Sequence, residues 1–253
     1  MSLLRAHEAP AVSVGRPAGT SPVFLTCDHA SQAIPEALGD LGVAAPDLDR
    51  HIAWDIGALA VARGLSEMLD ATLVASGYSR LVMDMNRPPH RQDLFPVVSE
   101  ATAIPGNTAL DEPARRARQD ALFEPYHGTI ARLLDARRGR PTLLVAVHSF
   151  TPVYAGTARP WEVALLSNRD RRVADLLLEA LQRDPALTVG DNIPYRLTDD
   201  GDYGVPVHGE RRGLPHVLIE LRQDCIASAA GQRAWIERLA PLLREACTAF
   251  AGA

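Results

Sequence analysis

The feature that most constrains the fold of this chain is a set of apolar runs without alternation between apolar and polar residues. The four strongest are rich in Val, Leu, Ile and Ala and lie at 23–26, 72–75, 142–147 and 216–221. Two weaker runs of this kind lie at 162–167 and 81–84. Such runs are typical of strands that are covered on both faces of a sheet.

Segments with an apolar residue at every third or fourth position separate these runs and predict helices. They lie at 52–69, 114–138, 171–182 and 231–250. Strands that alternate with helices of this length predict an α/β layered sheet. Two stretches without periodicity, 88–113 and 191–215, are rich in Pro, Gly and Asp and predict long loops.

Length and charge narrow the possible functions. For 253 residues we expect one domain, 1–253, with its core at about 20–250. All 26 basic residues are Arg, and with 31 acidic residues they leave a net charge of -5, which gives no reason to expect binding to nucleic acid or to an anionic membrane. The absence of Lys excludes a Schiff-base lysine and a phosphate-loop lysine.

Cysteine content and the N-terminal residues indicate a cellular compartment. Cys27, Cys225 and Cys247 are far apart and include no CxxC pair, so neither a disulfide framework nor a thiolate zinc site is expected. No apolar run reaches the ~18 residues of a membrane helix. Arg5 and Glu8 interrupt the region where a signal peptide would be apolar. We therefore expect a cytoplasmic protein that acts on a small molecule, and the oligomeric state is not predicted.

Polar side chains follow the predicted strands at the edge where open α/β sheets bind ligands. Asp28 and His29 follow the first strand, Arg80 follows the second and His148 follows the third. Glu220 lies in the last strand, where a buried carboxylate without a partner costs several kcal/mol. Glu220 must therefore be paired or lie near a cation.

Two imidazoles and one carboxylate, with a position left for water, form a typical catalytic zinc site. His29 and His148 are the candidate imidazoles. For the carboxylate we favour Asp55, in the predicted opening turn of the first long helix, over Asp28, because adjacent strand residues point to opposite faces. The alternative for Asp55 is a structural role, since an acidic residue in a first helical turn is favoured by the helix dipole.

Seven segments, which cover roughly residues 20 to 245, resemble the N-formylglutamate amidohydrolase family in the same order along the chain. They are CDHASQAIP (27–35), HIAWDIGALA (51–60), YSRLVMDMNRPP (78–89), VHSFTPV (147–153), RPWEVALLSNRD (159–170), GDNIPY (190–195) and GLPHVLIELRQD (213–224). The resemblance implies a three-layer α/β/α sandwich around a mixed, mostly parallel central sheet, related to carboxypeptidase A and the aspartoacylase group. It also implies a zinc-dependent hydrolase that removes an N-formyl or other N-acyl group from an acidic amino acid.

In this comparison, His29 and His148 match metal ligands, Glu220 matches the general base, and the D-x-N-R element at 84–87 resembles one that holds the substrate carboxylate. Two positions differ from the patterns of relatives. Gln32 stands where the aspartoacylase group has its ligating Glu, and Asp55 stands where formylglutamate-hydrolysing relatives have His. A His-to-Asp exchange preserves the capacity to bind a metal.

The hypothesis assigns the remaining polar residues to substrate. We expect Arg80 to stabilise the oxyanion, and Asn86 with Arg87 to bind the substrate carboxylate. Arg222 takes either role or neutralises Glu220. His208, in the segment 203–208, either folds over the site or is a solvent-exposed loop residue.

Other functions compete with this hypothesis. A metal-free binding protein for a small acidic metabolite would use Arg80, Arg87 and Arg222, and a metal-dependent hydrolase of a different amide or ester would use the same metal site. A serine hydrolase is not indicated, because no GxSxG elbow occurs. A Cys27 nucleophile is weakly supported, because a small buried thiol is commoner.

Overall fold

A computed structural model describes residues 3–250 of the chain, which contain one seven-stranded mixed sheet and two short hairpins. The strands are β1 (Val12–Gly15), β2 (Val23–Cys27), β3 (Thr72–Ser76), β4 (Val98–Ser99), β5 (Thr102–Ala103), β6 (Leu143–Phe150), β7 (Val153–Tyr154), β8 (Thr157–Ala158), β9 (Val163–Leu166), β10 (Val189–Asp191) and β11 (His216–Arg222). The helices are α1 (Ala45–Leu48), α2 (Ala58–Leu69), α3 (Glu112–Arg118), α4 (Glu124–Asp135), α5 (Arg172–Leu181), α6 (Gly204–His208) and α7 (Ala229–Phe250).

The central strands of the sheet run in one direction. Its order is β1-β3-β2-β6-β11-β9-β10. Strands β3, β2, β6 and β11 are parallel, β1 is antiparallel to β3 at one edge, and β9 is antiparallel to β11 near the other. The prediction of a mixed, mostly parallel sheet is confirmed.

Helices cover both faces of this sheet. On one face, α2, α5 and α7 pack against the odd-numbered strand residues through side chains such as Val61, Leu177 and Leu239. On the other face, α4 contributes Tyr126 and Ile130, and irregular segments complete the layer. The three-layer α/β/α sandwich implied by the family resemblance is therefore present.

The boundaries of several elements differ from the predictions. Residues 81–84 do not form a strand, because the Val82 N–H donates to the Ser79 carbonyl within a buried turn. The helix predicted at 52–69 begins only at Ala58, and the helix predicted at 114–138 is divided into α3 and α4 by a π-helical turn, Gln119–Phe123. The predicted loops 88–113 and 191–215 contain the β4–β5 hairpin and α6.

Two further features bear on the sequence-based expectations. Cys27, Cys225 and Cys247 are all free thiols. Within residues 3–250, no helix combines the length and the apolar character that a membrane span needs.

Candidate metal centre

Two neighbouring strands of the sheet present the first pair of functional side chains. His148 in β6 and Glu220 in β11 are directly opposite each other in the parallel register. Side chains at paired positions emerge on the same face of a sheet. Both residues lie inside their strands. The sequence-based expectation that His148 follows the end of its strand is therefore wrong.

Two turns bring the other imidazole and a carboxylate to the same place. His29 lies in the turn after β2, and the Asp55 N–H donates to the His29 carbonyl over 2.9 Å. Asp55 precedes α2 instead of opening it, because the chain turns at Gly57 with φ of 82°. A Cβ at Gly57 would lie 2.6 Å from the Ile226 carbonyl oxygen, so only glycine fits at this turn.

The two imidazoles direct the same type of nitrogen at one carboxylate oxygen. His148 Nδ1 lies 2.8 Å from Asp55 Oδ2, and His29 Nδ1 lies 3.4 Å from that oxygen. One ligand atom from each of the three residues falls within 4.8 Å of the others. His29 Nδ1 is buried and has no hydrogen-bond partner among residues 3–250. This unpartnered nitrogen beside a shared oxygen fits a site for a metal ion.

Two further carboxylates hold the opposite edges of the imidazole rings. His29 Nε2 lies 2.7 Å from Asp84 Oδ1, and His148 Nε2 lies 3.2 Å from Asp28 Oδ2. A carboxylate that accepts the Nε2 proton fixes the ring and leaves Nδ1 as the metal-binding nitrogen. Asp28 is itself held, because the Tyr126 hydroxyl donates to its Oδ1 over 2.5 Å.

Charge balance also favours a cation. Asp28, Asp55 and Asp84 are all at most 4% exposed. Burial opposes their ionisation, but the hydrogen bonds and charges of the imidazoles hold the pKa of Asp28 at about 2 and that of Asp55 well below its usual range. The same carboxylates raise the pKa of His148 well above its ordinary value, although burial opposes this. One divalent cation would replace the two Nδ1 protons without changing the net charge of the cluster.

A cavity of about 630 Å³ opens onto this cluster and gives access to Glu220. Its lining includes His29, Asp55, His148 and Glu220. Glu220 Oε2 is buried without a hydrogen-bond partner in the described part of the chain. Burial raises the pKa of Glu220 to about 7, although the charge of His148 acts in the opposite direction. A carboxyl group with this pKa can accept and release a proton near neutral pH.

Three predicted substrate residues also line the cavity, and most of their polar atoms already have partners. Arg80 Nη2 donates to Asp84 over 2.7 Å, while Nη1 lies 3.6 Å from Asp55 Oδ1. Arg87 Nη1 donates to the Gly201 carbonyl.

The side chain of Asn86 holds the segment at 202–204. Asn86 Oδ1 accepts the N–H groups of Tyr203 and Gly204, and Asn86 Nδ2 donates to Asp202. Its amide thus fixes one wall of the cavity.

Two other predicted substrate residues, Arg222 and His208, do not line this cavity as the described residues 3–250 form it. Arg222 donates to Asp224 and to the Pro160 carbonyl rather than to Glu220. His208 lies in α6, is 3% exposed, and stacks on His127 with 3.0 Å between His208 Nε2 and His127 Nδ1. It is therefore neither a solvent-exposed residue nor part of the cavity wall.

Other placements bear on the choice of ligands. Gln32 is exposed and donates to Asp49, so it lies outside the cluster.

Tyr126 and the contact between Asp84 and His29 were not foreseen from the sequence. The available signal for Tyr126 was a hydroxyl within the apolar stripe of Phe123, Tyr126 and Ile130.

The buried His127–His208 pair predicts a pH-dependent stability. Burial lowers the pKa of His208 to about 3 and that of His127 to about 4, from an ordinary 6.5. Below pH 6.5 the unfolded chain gains protons that the folded chain does not bind, so the free energy of unfolding falls as the pH drops. In His208→Gln, we expect the slope of that free energy between about pH 6 and 5 to decrease by about 1 kcal/mol per pH unit.

Urea unfolding at a series of pH values checks this expectation. His90→Gln is the matched control, because the His90 side chain is 67% exposed. Equal slopes in wild type and His208→Gln would contradict the prediction.

Comparison with known proteins identifies the family. The family model described as N-formylglutamate amidohydrolase matches residues 21–227. The chain belongs to the N-formylglutamate amidohydrolase family. This confirms the resemblance seen in the seven sequence segments.

One curated relative and two solved structures are also similar to this chain. An N-formylglutamate deformylase of Pseudomonas putida is 30% identical over 136 residues, which are 47% of this chain and 48% of the relative. The match thus spans about half the length of that curated relative. A solved gene product of Agrobacterium tumefaciens is 42% identical, with a TM-score of 0.94 over 98% of both chains. The solved N-formylglutamate amidohydrolase of Ralstonia eutropha shares the fold, with 16% identity and a TM-score of 0.64 over 96% of this chain and 98% of that one.

Proposed function

We propose that this family member is a zinc-dependent amidohydrolase that removes an N-formyl or other N-acyl group from an acidic amino acid, with an N-formylglutamate-like substrate. Membership of the family and the deformylase name of the Pseudomonas putida relative support the reaction class. The observation that carries the proposal is the convergence of His29 Nδ1, His148 Nδ1 and Asp55 Oδ2 at a cavity that also holds the unpartnered Glu220 carboxylate.

The donor set suits zinc. Two imidazole nitrogens and one carboxylate oxygen, with room for water, are a common ligand set of catalytic zinc. Carboxylates on the far nitrogens of both rings supply the supporting contacts that metal-bound histidines usually have. Held by His29, Asp55 and His148, such an ion would supply Lewis acidity for the activation of water and of the substrate carbonyl.

Glu220 performs the proton transfers in this proposal. Its carboxylate takes a proton from the attacking water as the new C–O bond forms. The same carboxyl group then delivers that proton to the amide nitrogen as the C–N bond breaks, which releases formate or another acid and the free amino acid.

Arginine side chains complete the proposed site. In the described chain, the carboxylate nearest to Arg80 Nη1 is that of Asp55, at 3.6 Å. We assign Arg80 Nη1 as the donor to the developing oxyanion. Loss of one such donor typically costs about 2.7–4 kcal/mol of transition-state stabilisation. Arg87 is assigned to a substrate carboxylate, and Asn86 supports the wall beside it.

Metal analysis and a substrate panel test the proposal together. We expect the purified protein to contain about one equivalent of zinc per chain and to hydrolyse an N-formyl, N-acetyl or N-succinyl acidic amino acid faster than its neutral counterparts. Tight binding of an acidic metabolite by a protein that takes up no divalent metal would instead indicate the binding-protein alternative. Activity confined to unrelated amides or esters would contradict the assigned substrate.

Asp28→Asn tests the contact that orients His148. Asparagine cannot supply the negative charge that the ring Nε2–H meets, so we expect the dissociation constant for zinc to rise by about 10- to 100-fold. Competition with a chelating dye measures it. Asp200→Asn is the control, because the Asp200 side chain is 77% exposed. Equal zinc affinity in Asp28→Asn and wild type would remove Asp28 from this role.

A further inference from the structure

Arg159, which directly follows β8, is a buried cation without an anionic partner. It is 8% exposed, and no carboxylate of residues 3–250 lies within ion-pair distance of its guanidinium. Arg222, close by in space, pairs instead with Glu162 and Asp224. A buried charge is costly unless it is paired, so the site lacks an expected partner.

Aromatic rings at the edge of the cavity hold this guanidinium. Its central carbon lies 4.6 Å from the ring centroid of Tyr154 and 4.9 Å from that of Tyr195. Both tyrosines line the cavity that contains the metal centre. Contacts with aromatic faces stabilise a guanidinium but leave its charge without a counterion.

Arg159 contacts these two tyrosines but is not itself part of the cavity lining that residues 3–250 form. The arginines that do line the cavity differ from Arg159. Arg80 pairs with Asp84, Arg87 contacts Asp202 at 3.7 Å, and Arg91 pairs with Asp93 at 2.7 Å. Arg196 also lacks an ion pair in the described chain, but it is exposed to solvent. Compared with these lining arginines, Arg159 is both buried and without an ion pair in the described part of the chain, so it retains its capacity to bind an anion.

Tyr195 connects Arg159 to the cavity. Arg159 Nη1 donates to the Tyr195 hydroxyl oxygen over 2.8 Å, so the phenolic proton remains available for another acceptor. Tyr195 lines the same cavity as Glu220.

We propose that Arg159 and Tyr195 form a subsite for the second carboxylate of an N-acyl dicarboxylic amino acid. This inference rests on the proposed function, in which Arg87 takes the first carboxylate. One carboxylate oxygen accepts the Tyr195 O–H and the other accepts a guanidinium N–H. Tyr154 and Tyr195 are each 40% exposed and both line the cavity, so this subsite adjoins the cavity of the metal centre. A neutral side-chain amide would leave the guanidinium without a counterion, so the subsite selects for a negative charge.

Paired substrates test the assignment. The ratio of kcat/KM for N-formyl-L-glutamate to that for N-formyl-L-glutamine measures the preference for a charged side chain. We expect Arg159→Gln to lower this ratio by about 10- to 100-fold, as for the loss of a charge-assisted hydrogen bond. Tyr195→Phe keeps the ring and removes the hydroxyl, and it should lower the ratio in the same direction even if Arg159→Gln does not fold.

Arg196→Gln is the matched control, and we expect it to leave the ratio within about two-fold of wild type, as for a solvent-screened surface charge. An unchanged ratio in a folded Arg159→Gln or in Tyr195→Phe would overturn the subsite. A collapse of the ratio in Arg196→Gln alone would overturn it as well and would assign the anion to the exposed arginine.

Calorimetry distinguishes failure of the subsite from failure of the proposed function. If the wild-type protein hydrolyses neither substrate, the proposed function fails, and binding of L-glutamate and L-glutamine then tests the subsite by itself. Tighter binding of glutamate that disappears in Arg159→Gln, or in Tyr195→Phe, supports the subsite. Equal binding of the two amino acids by wild type overturns it.

Discussion

Glu220→Gln should retain the metal ion and lose about 10²- to 10⁴-fold in kcat for amide hydrolysis, the range expected for removing a general base. Glutamine has nearly the same shape as glutamate but cannot accept the proton of the attacking water. The Glu220 carboxylate is buried, lines the cavity and has an oxygen without a partner among residues 3–250, so its substitution breaks no hydrogen bond of that oxygen. Steady-state kinetics and metal analysis of the same preparation measure both effects.

Glu100→Gln is the matched control for this prediction. Glu100 lines the same cavity but pairs with Arg50, away from the imidazole cluster. We expect its kcat to stay close to that of wild type. Turnover near the wild-type rate in Glu220→Gln would exclude Glu220 as the base, and loss of metal in that variant would indicate that Glu220 is a ligand.

Asp55→Asn should abolish stable metal binding and with it the hydrolytic activity. Asp55 Oδ2 is the atom that both Nδ1 nitrogens face, so the substitution removes a ligand and the negative charge at the centre of the site. Because substitutions in supporting residues already weaken metal binding by about 10- to 100-fold, we expect a larger loss for a ligand. Dialysis against a weak chelator, followed by elemental analysis, should leave wild type loaded and Asp55→Asn empty.

Asp93→Asn controls for the general effect of removing an acid from the cavity. Asp93 lines the same cavity, but its side chain is 46% exposed and pairs with Arg91. Its zinc content should equal that of wild type. Full zinc occupancy in Asp55→Asn would rule out Asp55 as a ligand and would favour another carboxylate, Asp28 first.

Burial on both faces explains which strands the sequence could predict. β2, β6 and β11 are central, so nearly all their residues are buried, and each contains an apolar run that is easy to recognise. β1 and β10 lie at the sheet edges, contain only four and three residues and are partly exposed. Their hydrogen-bonding partners, rather than their composition, make them strands.

The residue types were enough to predict the members of the candidate site, but not the contacts between them. His29 and His148 were selected as imidazoles at the ends of predicted strands, Asp55 as the carboxylate that completes a zinc site, and Glu220 as a buried carboxylate that needs a partner. The structure brings His29, Asp55 and His148 together. The roles of the carboxylates depend on which ring nitrogen each one meets. The sequence does not specify that geometry, and it therefore left Asp28 as an alternative ligand.

Arg222 and His208 are two further residues whose contacts the sequence did not specify. The sequence offered Arg222 as a residue that neutralises Glu220, but Asp224 and the Pro160 carbonyl accept its hydrogen bonds instead. His208 belongs to a short helix that packs against His127, a contact between residues 81 positions apart. Neither arrangement follows from local sequence.

The most direct test of the metal centre is an anomalous difference map from crystals of the zinc-loaded protein, recorded at the zinc edge. The proposed metal centre predicts one strong peak per chain, about 2.0–2.2 Å from His29 Nδ1, His148 Nδ1 and an Asp55 oxygen. A map without a peak at this cluster, or with its zinc bound at other side chains, would contradict it.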